Sequence, residues 1–208
     1  MSRFFRLRPI EVDLGHVLVQ IVAVALGVIL GLAATNWSEG VHQRALQRAT
    51  VANIVQELAE NQTGLRAVMA PHAKALAILV ALTKRASRTG FVSLSDGRAA
   101  LKKMGPFPEN VPLAIAWQIA QSDQGLTLFP YQDRYDLAWI YQLQTIYYQD
   151  EERYNNALFS VTRPADGNYF LNTIDFANEL QAIVSMERKL DGEYTQAIAK
   201  ANREFGSR

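Results

Sequence analysis

An all-α protein is what this sequence predicts: a single N-terminal transmembrane helix, continuous with a stalk, that folds back as an elongated helical bundle. Three observations carry the prediction. Leu14 to Asn36 contains no charge between Val17 and Ala34 and one strongly polar side chain there, Gln20. At about 1.5 Å per residue that run covers roughly the 30 Å of a bilayer's hydrocarbon core. Next, Val51, Ile54, Leu58, Asn61, Leu65 and Val68 step by threes and fours, the seam of a coiled-coil-like helix. Last, two long stretches, 130–161 and 170–204, carry apolar residues at helical spacing.

Two alternatives compete for the apolar run. A buried core helix would carry a polar stripe, and from Ile21 to Ala34 no face has one. A cleaved signal peptide is suggested by the small-x-small pattern Gly31-Leu32-Ala33 behind Arg3, Arg6 and Arg8. The run is longer than the usual ~7–15 residues of such a peptide, and acidic Glu11 and Asp13 stand in the leader. A retained anchor is therefore expected, with residues 1–13 as an interfacial leader, 14–36 as the span and 37–208 as one soluble helical domain. More arginines precede the span than follow it closely (Arg44, Arg48), so the positive-inside bias puts the N-terminus in the cytoplasm. In a bacterium the span then lies in the inner membrane and the C-terminal domain in the periplasm, which the absence of cysteine permits.

In the leader, Arg3, Phe4, Phe5 and Arg6 alternate charge with aromatic rings, as suits the headgroup layer, and Asp13 is placed to cap the helix. Ala23, Gly27 and Gly31 line one face of the span, a small-residue stripe of the kind that packs helices in lipid. Trp37 follows as an interfacial anchor. Asn53, Glu57 and Asn61 lie at i, i+4 and i+8, a polar row that could order contacts with a neighbouring helix. The stalk is expected to pack laterally and to break near Pro71, with a second helix reaching about Arg88 and burying Leu76, Leu79, Val80 and Leu82.

Gly90 and S-L-S-D-G mark a loop, after which Ser95 is expected to cap a short helix ending before Gly105. The surrounding Lys84, Arg85, Arg88, Arg98, Lys102 and Lys103 face only Asp96 locally, and a solvated surface is the simpler account of them. P-F-P-E-N-V-P (106–112) is an irregular loop whose last proline is expected to open a helix running to Gly125, with Trp117 in the core. In the helix from Pro130, Tyr131, Tyr135 and Trp139 share one face while Leu137, Ile140, Tyr141 and Gln144 crowd another. Either neighbours sandwich it or one aromatic face binds a partner. Asp150, Glu151 and Glu152 are expected to be exposed. T-R-P-A-D-G-N (162–168) ends this helix, and the last one, about Phe170 to Glu204, buries Ile174, Leu180, Ile183, Val184, Leu190, Tyr194 and Ile198.

Chemistry-bearing patterns are sparse. Without cysteine there is no thiolate catalysis and no cysteine zinc site. His16, His42 and His72 are far apart, and Glu39 to His42 spells E-x-x-H without the second copy that a di-iron bundle needs. No G-x-S-x-G, phosphate loop or H-E-x-x-H is present. The domain beyond the leader is formally neutral and has no nucleic-acid motif, so nucleic acid is not an expected partner, and no cofactor or metal is called for.

At the junction of span and stalk, V-A-L-G-V-I-L-G-L-A-A-T-N-W-S-E followed by A-N-I-V-Q-E-L-A-E-N (52–61) resembles a set of uncharacterised bacterial single-pass inner-membrane proteins. These have an N-terminal span, an Asn-Trp pair and an N-I-x-x-E-L-x-x-N helix; A-W-Q-I-A-Q-S and L-A-W-I-Y-Q-L-Q also look similar. The resemblance implies a helical membrane-anchored protein and transfers no catalytic residue. The expected function is a non-catalytic interaction protein, an accessory or assembly subunit of a larger membrane complex. Its expected partners are membrane lipid and other membrane subunits, or itself through the span. A periplasmic ligand-binding or sensory module is the alternative, and an enzyme the third.

Overall fold

Apolar residues spaced by threes and fours close into helices along nearly the whole chain, so backbone hydrogen bonds are satisfied within each segment. The computed structural model describes residues 14–90, 92–105, 107–123, 125–162 and 169–205. They form α1 (Leu14–Thr89), α2 (Leu94–Met104), α3 (Ile115–Ser122), a 3-10 turn (Gly125–Leu128), α4 (Tyr131–Thr162) and α5 (Tyr169–Phe205), with no strand among the described residues. The leader residues Arg3, Phe4, Phe5 and Arg6, the capping position Asp13 and most of the turn before α5 lie outside them.

The chain divides into two units, 1–46 and 47–208. In the first, every side chain from Leu18 to Glu39 is exposed. Val24 and Leu30 stand 67% and 68% open, and nothing lies within 4 Å of where a Cβ would sit on Gly27 or Gly31. Thr35 returns its hydroxyl to Gly31 O at 3.0 Å, so its polar group is satisfied within the helix. Among the described residues, α1 is the one helix long and apolar enough to cross a membrane.

The second unit is a bundle built on the remainder of α1. Val51, Ile54, Leu58, Asn61, Leu65 and Val68 are all buried, as their stepping predicts, but the chain itself covers them. Contacts fix the directions. Glu57 meets Tyr141, while the His72 ring reaches Tyr154 through Phe107, so α4 runs parallel to α1. Gln62 meets Asp191 while His72 meets Glu187, and Lys200 meets Asp133 while Phe176 stacks on Tyr154, so α5 runs antiparallel to both. Between α1 and α4 the segment 107–128 descends along α1: Pro108 lies at His72, Leu113 at Asn61, Ala116 at Glu57 and Leu128 at Gln47. The topology is up-down-up-down, with the second arm half extended and half helical.

Three expected boundaries move. α1 passes through Pro71 without breaking. Pro71 is exposed while Val68, His72, Ala75 and Leu79 are buried. The carbonyl deprived of its N–H can thus turn to water, and burial on the opposite face outweighs the local cost. Ser93, not Ser95, caps α2, accepting from Asp96 N at 3.1 Å, with Asp96 accepting the Ser93 hydroxyl in return; Gly105 ends the helix at φ 76°. α3 begins at Ile115 and not at Pro112, because the backbone of Leu113 is held by the Asn61 side chain at both N–H and C=O.

Candidate functional site

Two assemblies hold the polar and aromatic residues that the fold leaves in unusual places. The first is internal. His72 on α1 lies fully buried with Nδ1 on the Glu187 carboxylate of α5 and Nε2 at 2.9 Å from the Pro108 carbonyl. Both ring nitrogens face oxygen acceptors, so Nε2 donates to the Pro108 carbonyl while Nδ1 bonds the Glu187 carboxylate. The ring stacks on Phe107 at 3.9 Å, Phe107 meets Tyr154 at 4.3 Å with its plane tilted by 36°, and Tyr154 stacks on Phe176 at 4.3 Å, a four-ring column through α1, the proline-rich loop, α4 and α5.

Glu151 on α4 joins this cluster. Burial pushes its carboxyl up to about 7, against the lowering effects of the Tyr147 hydroxyl, His72 and the Asn110 backbone N–H. Tyr147 donates to it at 2.5 Å, and burial together with that carboxylate raises the phenol far above its ordinary range. Glu187 Oε2, Tyr154 OH and Asn110 Nδ2 are buried with no hydrogen-bond partner among the described residues. Asn110 comes close to α1 only because residue 64 is glycine: a Cβ there would sit 2.4 Å from Asn110 Oδ1. No group of three or more histidine and carboxylate side chains among the described residues could hold a metal.

A second polar tie lies further along the same interior. Glu57 accepts the Tyr141 hydroxyl at 2.6 Å and Ala116 N–H at 2.7 Å, so a carboxylate from α1 serves as the N-terminal cap that α3 lacks in its own sequence. Burial raises the Tyr141 phenol, with Glu57 adding to the effect, and burial pushes Tyr194 up to about 12. Trp117 is buried and stacks on Tyr141 at 4.9 Å, which bears out its placement in the core.

The second assembly is a surface trough of about 260 Å³ between α1, α4 and α5. Val51, Ile54 and Leu58 floor it, Leu137 and Ile140 form one wall, and Ala197, Ala201 and Phe205 the other. Trp139 stands at its margin with the Lys189 ammonium 4.9 Å from its ring. Asp133, Asp136, Glu193 and Glu204 also line it against a single lysine, Lys200, which bonds Asp133 at 2.6 Å and Asp136 at 3.3 Å. Those bonds raise the Lys200 ammonium's pKa.

The expected site residues scatter accordingly. Tyr131, Tyr135 and Trp139 do share a face, and they are 73%, 58% and 40% exposed, so no helix among the described residues sandwiches it. Asn53 is exposed too, but Glu57 and Asn61 face inward and are spent on the chain's own return segment. Their polar row orders contacts inside the bundle, because a long connection from α2 to α4 brings backbone donors and acceptors against α1 that need partners. Ala23, Gly27, Gly31 and Trp37 lie on the open first part of α1. Asp150 and Glu151 are buried, correcting their expected exposure, while Glu152 is open. The signal was present: Ile140, Leu143, Tyr147, Asp150 and Tyr154 step by threes and fours, and the seam runs through the acidic pair. His72 with Glu187 left no such trace, being 115 residues apart.

No family model matches the chain, and no curated protein or solved structure matches it either.

Proposed function

We propose that this protein is a non-catalytic, membrane-anchored interaction protein, an accessory or assembly subunit of a larger membrane complex. Its N-terminal helix spans a bacterial inner membrane with the N-terminus in the cytoplasm, and the bundle works in the periplasm. The observation that carries this reading is the exposed row Tyr131, Tyr135 and Trp139 on the first turns of α4. Tyrosine and tryptophan concentrate at interface hot spots, and the bundle behind them is tied by buried hydrogen bonds and stacked rings, which lowers the ordering cost of binding. The open Ala23, Gly27 and Gly31 face supports a second contact within the membrane, with another subunit's helix or a second copy.

Crosslinking in intact membranes tests it. A photo-crosslinking residue at Tyr135 should give one or a few discrete adducts, identified by mass spectrometry, and the same residue at exposed Asn53 should give fewer. Recovery of the protein only as an uncrosslinked monomer from both positions would refute the proposal. The trough favours one other reading, a periplasmic ligand-binding or sensory module. It would be supported by a small molecule retained through purification and lost on Leu58→Trp.

A further inference from the structure

A change in residue size along one helix makes the trough. The inward seam of α5 steps through Phe176, Leu180, Ile183, Glu187, Leu190 and Tyr194, all buried, and then reaches Ala197 and Ala201. Large residues up to Tyr194 keep α4 and α5 apart by the 8–10 Å usual for packed helices, and two alanines cannot fill that gap. The hollow that follows extends along α5 from Glu193 to Phe205, about three helical turns. Its floor is apolar. Its lining charges are four carboxylates to one ammonium, and that ammonium is already engaged by Asp133 and Asp136. Glu193 and Glu204 carry no ion pair among the described residues.

An occupant must bring apolar side chains spaced over three turns and positive charge at both ends, since a negative or neutral one would leave the carboxylates repelled or unpaired. Resting on the interaction reading above, we propose that the trough receives a basic amphipathic helix of a partner protein. Its apolar residues at i, i+4 and i+7 seat over Ala197 and Ala201, and its lysines or arginines meet Glu193 and Glu204. The partner helix supplies the bulk that the α5 seam lacks.

Because the chain has no cysteine, Gln196→Cys gives a single thiol at the trough for disulfide trapping. Full-length protein carrying it, in nanodiscs of zwitterionic lipid, is offered two synthetic helices with the same leucine face and one cysteine, one bearing lysines and the other glutamates. The lysine helix should be trapped about tenfold more than the glutamate helix, and added salt should shrink the difference. Adding Glu193→Lys and Glu204→Lys should reverse the preference, and Lys200→Ala should strengthen it, neither of which a purely structural role would do. Equal trapping of both helices, trapping of neither, or indifference to the charge reversals overturns the proposal. If the peptides fail while the Tyr135 crosslink still finds a partner, the trough assignment falls and the interaction reading stands.

Discussion

The two parts of α1 are inside-out versions of each other. From Leu18 to Glu39 its apolar side chains face outward and no polar group is buried, whereas from Val51 to Ala86 its apolar residues are covered and Glu57, Asn61 and His72 are buried among them. On the proposed membrane reading, one helix meets two solvents. Where the surroundings are apolar, the backbone and Thr35 satisfy themselves and side chains need only be greasy. Where water surrounds the bundle, apolar residues must be hidden, and polar ones can join them only when each finds a partner.

The largest break in this contrast should come from the most deeply paired group. His72→Ala leaves Glu187 facing Glu151 and frees the Pro108 carbonyl, and removing one partner of a buried pair costs about 3–5 kcal/mol. Chemical unfolding of the full chain should show that loss, with the proline-rich segment becoming susceptible to proteolysis. A loss below 1 kcal/mol would mean that water reaches the cluster.

Nearly as large is a pH effect of Glu151, whose carboxyl is raised from 4.5 to about 7 when folded. The sign follows from proton counting. Below pH 4.5 both states hold the proton; between 4.5 and 7 only the folded state does, so this group's contribution falls as pH rises and levels off above 7. The change is roughly 3 kcal/mol, and Glu151→Gln, which still accepts from Tyr147, should flatten that part of the stability profile. The membrane side of the comparison is sharpened by Leu26→Arg. It should cost about 2.5–3.5 kcal/mol of insertion, measured as the fraction of chain integrated into membranes, and leave the unfolding of the bundle unchanged.

The smallest effect concerns two glycines of the bundle. Gly192 has open space around its Cβ position, so Gly192→Ala should stabilise α5 by about 0.5–1 kcal/mol. Gly64→Ala should fall short of that gain, because its Cβ must displace Asn110. Equal melting-temperature gains would place the proline-rich segment farther from α1 than described.

The helix inventory was legible in the order of residues. The stepping from Val51 to Val68, the long helices from Pro130 and Phe170, and Trp117 in the core all follow from periodicity, which a helix converts directly into one buried face. That Tyr131, Tyr135 and Trp139 share a face was legible in the same way, through four-residue spacing, whereas the exposure of that face was not. Boundaries were less so: Pro71, Ser93 and Ile115 were settled by which face meets water and by which side chain reaches a free backbone group.

What the sequence determined by itself is the all-α class and the single apolar segment, because both depend on neighbours within a few turns along one chain. Only the tertiary structure decided that His72 meets Glu187, that Glu57 caps α3 and that Ala197 and Ala201 leave a trough. Those pairings join residues far apart in sequence, and their energy comes from desolvation, which no residue carries until its neighbours close over it.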